Sequence, residues 1–138
     1  MNRADLQRLT ELRVADAEVL LQARHWPAAY YLLGYAIECA LKACAARQFS
    51  EHVVPDKRVV NEFYTHELEK LLNISGAKEA WKSRAKRERG FQVNWSTVRD
   101  WSEAARYDLT ITEATARDMY TAVTDATSGV LPWLKTVW

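Results

Sequence analysis

Ala28-Ala-Tyr-Tyr-Leu-Leu-Gly-Tyr-Ala-Ile-Glu-Cys-Ala-Leu-Lys-Ala-Cys-Ala-Ala46 is apolar around nearly its whole circumference when wound as a helix, and only Gly34, Glu38 and Lys42 interrupt it. A helix that is hydrophobic on all sides has to be surrounded by other elements. Its 19 residues are also enough to span a bilayer. Glu38 and Lys42, however, sit at its middle, where a lipid environment would penalise charge. The stretch therefore predicts the central helix of a soluble bundle, and the expected location is the cytoplasm.

Working outward, Pro27 stands at a favoured first-turn position, so the helix starts near Pro27 and runs to about Gln48. Before it, Ala4 to Arg24 has helical spacing, with Leu6, Leu9, Leu12, Ala17 and Leu20 as the expected inner face. The short link His25-Trp26 makes these two helices an antiparallel hairpin. After the central helix comes an irregular link from Phe49 to Thr65, with a short turn over Lys57–Phe63. Thr65 can cap a short helix carrying Glu67 and Glu69 in its first turn.

Gly76 to Arg89 reads as a strongly basic helix ended by Gly90, Phe91–Asn94 as a break, and Trp95 to Arg106 as a further helix. Thr110 and Glu113 have capping-box spacing and open a last helix to about Ser128, with Ala116, Met119, Tyr120, Val123 and Val130 inward. The fold expected is all-α, an antiparallel up-down bundle of four to five main helices. The 138 residues suit one domain, 1–138. Only 4 glycines and 3 prolines punctuate them, which favours helices over a sheet.

Net charge is +1, which excludes a strongly basic arm or an acidic tail but permits a local patch. That patch is the basic helix: Lys78, Lys82, Arg84, Lys86, Arg87 and Arg89 against two acids give +4, and the rest of the chain carries −3. Lys78, Lys82, Lys86 and Arg89 fall within about 80° on a helical wheel. This is either a solvated face or a footprint for phosphate or an acidic partner. On the central helix, Tyr31, Tyr35, Glu38 and Lys42 share an arc of about 60°. Glu38 and Lys42 have the favourable i, i+4 order. A buried Glu38 needs a charged partner, which Lys42, His66 or Arg106 can supply. The pair is either a structural clamp or one wall of a site.

His66 suits acid–base chemistry or a structural hydrogen bond. Trp95, Trp101 and Tyr107 near Arg99 and Arg106 are core aromatics or base-stacking partners. Trp133 and Trp138 suggest a docking surface near the C-terminus. Cys39 and Cys44, five apart on one helix, are too far separated for a disulfide and are expected to be buried thiols in a reducing compartment. The three histidines lack metal-ligand spacing; no phosphate-cradling loop or hydrolase motif is present. No metal and no cofactor are expected.

The segment Gly34-Tyr-Ala-Ile-Glu-Cys-Ala-Leu-Lys42 resembles the HEPN domain family, whose central helix has the form Gly-Tyr-Ala-Ile-Glu-x-x-Leu-Lys. In the branch it is most similar to, a His-[Asp/Glu]-Leu follows, matched by His66-Glu67-Leu68, and then an aromatic helix ending in Arg-Tyr, matched by Trp101 to Arg106-Tyr107. The resemblance implies a helical bundle, often a homodimer, that associates with nucleotides or RNA. It also implies a nucleotidyltransferase partner and a place in a prokaryotic toxin–antitoxin or defence system. Many relatives are metal-independent ribonucleases marked by Arg, four to six residues, then His on a late helix. Here the only such match is Arg47–His52, at the end of the central helix, so the resemblance leans towards binding rather than catalysis. The implied nucleotide or RNA contacts are Lys78, Lys82, Lys86, Arg89, Arg99 and Arg106. For the alternative, a divergent ribonuclease, the candidate catalytic residues are Arg106, Tyr107 and His66. A purely structural interaction module is the second alternative.

Overall fold

The first helix, α1 (Arg3–Gln22), begins where Asn2 and Asp5 cap each other: the Asn2 side chain accepts from the Asp5 N–H and Asp5 accepts from the Asn2 N–H, both at 2.9 Å. Beyond its C-cap, Ala23, the chain turns at Arg24, which takes φ +64°. The His25 N–H reaches back to the Leu20 carbonyl at 2.8 Å and the Arg24 N–H to Leu21 at 3.1 Å. Those two bonds are a Schellman closure with arginine where glycine is commoner, and they reverse the chain into α2 (Trp26–Ala46). Leu6, near the start of α1, packs on Cys39 and Ala43, towards the end of α2, so the hairpin is antiparallel.

The computed structural model describes residues 1–49 and 53–138, and these form helices with no strand among them. After the hairpin come α3 (Lys57–Phe63), α4 (Leu68–Ile74), α5 (Lys78–Arg87), α6 (Arg89–Arg99), a 3-10 turn over Glu103–Tyr107, α7 (Glu113–Thr124) and α8 (Val130–Leu134). The chain is an all-α helical bundle. Its centre is α2, packed by α1, α4, α7, α8 and the 3-10 turn. From Ala36 to Ala45 every α2 residue except Lys42 is buried. Among the described residues no helix is long and apolar enough to cross a membrane.

Several boundaries differ from those expected, each for a local reason. The inner face of α1 is Leu6, Thr10, Val14, Ala17 and Leu21, while Leu12 is 49% exposed. Thr10 is tolerated there because its hydroxyl donates to the Leu6 carbonyl at 2.9 Å. Thr65 does not cap a helix directly; its Oγ1 accepts from the Glu67 N–H at 3.2 Å, and α4 starts at Leu68. The basic helix stops at Arg87, because Glu88 is extended and tied to Ser128 Oγ at 2.5 Å. Gly90 ends nothing: α6 begins at Arg89 and runs through Phe91–Asn94, burying Phe91, Trp95 and Val98 at i, i+4, i+7. It stops at Arg99, so the stretch up to Arg106 is not one helix.

Thr112, not Thr110, caps α7 by accepting from the Thr115 N–H at 3.2 Å. Thr110 instead closes a turn onto Asp108. Asp125 accepts from the Ser128 N–H at 2.7 Å and ends α7 before Ser128, leaving Val130 to open α8. Trp133 is not exposed: it is 6% accessible and meets Phe91 edge-to-face at 5.2 Å. Trp138 is half-buried beside Leu6. Of the two indoles expected to form a docking surface, Trp133 is therefore core and Trp138 keeps part of its surface accessible.

Two features of α2 give measurable consequences. A Cβ on Gly34 would lie far inside van der Waals contact of the Trp101 indole. Gly34→Ala is expected to lower stability by about 3 kcal/mol, the upper end of overpacking penalties, read by urea denaturation. Cys39 and Cys44 are both free and buried, and burial pushes each thiol from 9.0 up to about 11. A raised thiol pKa stabilises the native state fully below the unfolded value, so stability should fall as pH rises from about 9 to about 11. At pH 8 native alkylation should run at least about a hundredfold slower than in urea. Equal rates in both states would contradict that burial.

Candidate functional site

The polar stripe on α2 converges at its middle. Glu38 is 2% exposed, and its carboxylate takes the Lys42 ammonium at 2.9 Å and His66 Nδ1 at 3.0 and 3.1 Å. Of the three partners available to it, Lys42 and His66 are used and Arg106 is not. His66 belongs to the loop ahead of α4, and its other nitrogen, Nε2, lies 3.2 Å from Glu103 Oε2. Carboxylates only accept, so both contacts are hydrogen bonds together only when the ring carries both protons. Glu103 in turn pairs with Arg106 at 3.2 Å. The Arg106 guanidinium lies 4.8 Å from the Tyr107 ring centroid. The neighbouring Tyr107 and then Glu103 push its pKa up.

Lys42, Glu38, His66, Glu103 and Arg106 thus form one alternating chain from the buried centre of α2 to the surface. The 3-10 turn carrying Glu103 and Arg106 is positioned by Trp101, whose indole lies flat over Gly34 and contacts Tyr31 at 5.9 Å between ring centroids. Tyr31 stacks on Tyr35 at 6.3 Å. Trp101 is 4% exposed and Trp95 is 2% exposed, so neither is free to stack a base; Tyr107, at 73%, is. The Trp101 indole N–H is buried with no acceptor among the described residues.

A cleft of about 480 Å³ opens beside this chain. One wall is Thr65–Glu69 and the other is Arg99 with Trp101–Ala104. Arg99 spans it to Glu69 at 3.6 Å. The cleft therefore sets His66 and Arg99 against three carboxylates, Glu67, Glu69 and Glu103, and it is not a positive groove.

The basic surface lies elsewhere. Lys78 folds over the Trp81 ring at 4.6 Å, Lys82 pairs with Glu79 at 3.2 Å, and Arg84 sits 2.5 Å from Glu88. Lys86, Arg87 and Arg89 are exposed and without an ion-pair partner among the described residues. The four-residue stripe expected on one helix is broken, because Arg89 belongs to α6 and only Lys78, Lys82 and Lys86 share α5. Arg89 and Arg99 stand at opposite ends of α6, about 15 Å apart by helical rise. The expected nucleic-acid contacts are consequently two surfaces, a basic joint at α5–α6 and the His66 cleft. Arg47 donates to the Val137 carbonyl at 2.7 Å; its match, His52, lies outside the described residues.

Glu103 is the residue that reading the sequence missed. Its i, i+3 spacing to Arg106 was a visible signal, but its contact with His66 depends on a loop docking across the bundle. No family model matches the chain, and neither the curated proteins nor the solved structures give a match.

Removing one member of a buried pair leaves the other unpaired, at about 3–5 kcal/mol. Glu38→Ala is expected to destabilise by an amount towards the lower end of that range, since it strands the largely buried Lys42 ammonium, whereas His66 is exposed and keeps Glu103. Replacing Glu38 and Lys42 together by Leu and Met should recover much of the loss, because neither charge is then buried alone. Denaturation of the single and double variants measures both. A double variant as unstable as Glu38→Ala would mean that the pair itself is not the determinant.

Proposed function

We propose that the chain is a HEPN-like helical module that binds a nucleotide or RNA. The observation that carries this reading is the cluster of three exposed cations, Lys86, Arg87 and Arg89, at the α5–α6 joint, none with an ion-pair partner among the described residues. Phosphate contacts of this kind release counterions and dominate sequence-independent affinity. The resemblance of Gly34–Lys42 supports the same reading. Within that segment, Gly34 receives Trp101 and Glu38 receives His66, so the residues that carry the resemblance also organise the cleft. The reading brings with it a homodimer, a nucleotidyltransferase partner and a prokaryotic toxin–antitoxin setting.

One observation favours a second reading, a divergent metal-independent ribonuclease. His66 and Arg106 are forty residues apart in sequence, yet both hang on the Glu103 carboxylate at the edge of an open cleft. An imidazole and a guanidinium within reach of one phosphodiester are the groups such chemistry would use for proton transfer and charge stabilisation.

Fluorescence anisotropy with a labelled single-stranded RNA separates these possibilities from no binding at all. Three phosphate contacts on a single strand predict affinity falling about twentyfold between about 50 and about 200 mM salt. Neutralising Lys86, Arg87 and Arg89 together should remove most of that dependence. Salt-insensitive or absent binding overturns the proposal. The same RNA should survive incubation in EDTA; cleavage that persists there and disappears in Arg106→Ala and His66→Ala would transfer the protein to the ribonuclease reading.

A further inference from the structure

Away from the His66 cleft and the basic joint, a recess of about 180 Å³ opens where α2, α6 and α7 meet, lined by Tyr30, Thr97, Asp100, Thr115 and Asp118. Tyr30 comes from the central helix and is only 8% exposed. Its hydroxyl forms no hydrogen bond with a described residue, and the side chain borders the recess. Burial, then Asp100 and Asp108, raise its pKa, so the phenol stays neutral.

The two carboxylates in the recess are also uncommitted. Neither Asp100 nor Asp118 has an ion-pair partner among the described residues. The arginines next to them in sequence are engaged elsewhere: Arg99 with Glu69 at 3.6 Å, and Arg117 with Glu113 at 3.0 Å and the face of Trp26 at 5.2 Å. Asp100 is the C-cap of α6, where the helix dipole adds negative potential. The threonines do not offset this, since Thr97 Oγ1 is turned to the Val93 carbonyl at 3.4 Å and Thr115 Oγ1 to Thr112 at 3.1 Å.

A dehydrated divalent cation asks for six or more oxygen ligands, and no group of three acidic, His or Cys side chains suited to a metal stands among the described residues. Two carboxylates and a neutral phenol instead match a group that carries several N–H donors and one delocalised or alkyl-shielded charge.

We propose that this recess binds an organic cation, an alkylammonium or guanidinium group, between Asp100 and Asp118 against Tyr30. It is independent of the RNA-binding reading and stands whether or not that reading holds. The cation has two possible sources, a free polyamine or a Lys or Arg side chain of a protein partner.

Titration of the full-length ¹⁵N-labelled protein by NMR distinguishes them, with spermidine in one arm, a blocked Gly-Arg-Gly tripeptide in the other, and sodium chloride of matched ionic strength as control. The expected result is saturable shifts centred on Tyr30, Thr97, Asp100, Thr115 and Asp118 in at least one arm. Spermidine alone identifies a free polyamine, and the tripeptide identifies a side chain. Asp100→Asn with Asp118→Asn should weaken binding by about tenfold or more, the loss of charge-assisted hydrogen bonds. If the pair of changes unfolds the protein, Asp118→Asn alone, on the exposed face of α7, should still weaken binding about threefold or more. No saturable shift in either arm, shifts reproduced by sodium chloride, or undiminished affinity in the folded variants would overturn the proposal.

Discussion

Everything in this bundle is arranged around one carboxylate that the fold takes out of water. Glu38 sits midway along a helix packed by four others and a 3-10 turn, at 2% exposure. An uncompensated charge there would be prohibitive. Lys42 supplies one counter-charge from the next turn of the same helix, at no cost in topology. The second contact, His66, comes from beyond α3, so the chain between α2 and α4 has to bring that histidine over the middle of α2. One buried acid therefore constrains the path of a distant loop.

Gly34 applies a second constraint one turn earlier. Its missing side chain makes the seat for Trp101, and the seated indole closes the bundle where α6 has ended. From that anchor the 3-10 turn brings Glu103 to His66 and Arg106 to Glu103. Small residue and acid, four positions apart on one helix face, thus do complementary work: the first admits a tryptophan, the second a histidine. The cleft between Thr65–Glu69 and Trp101–Ala104 is the gap left between the two segments so captured.

The charge distribution follows from the same packing. Arg99, which reaches across to Glu69, and Arg106, which pairs with Glu103 on its own turn, are neutralised locally beside the cleft. Lys86, Arg87 and Arg89 at the α5–α6 joint make no ion pair among the described residues, and Glu88 there is bound to Ser128 and Arg84. The near-neutral total of the chain thus conceals a cleft of mixed charge, a basic joint and an acidic recess.

Much of this was legible from residue order alone. The all-round apolar pattern of Ala28–Ala46 identified the central helix, Pro27 its start, and the i, i+4 spacing the Glu38–Lys42 pair, since each of these depends on contacts within one helix. The short turn over Lys57–Phe63 was likewise visible and became α3. What residue order left open was decided across elements. Glu88 breaks a basic run that has no glycine or proline at that point, because Ser128, forty positions on, holds its side chain. Trp133 is buried because Phe91 lies opposite it. His66 meets Arg106 only through Glu103, on a turn whose position depends on an indole fitting over Gly34. Local periodicity carries information about a helix and its own faces; which side chains meet between helices depends on how the whole set packs, and only the tertiary structure decides that.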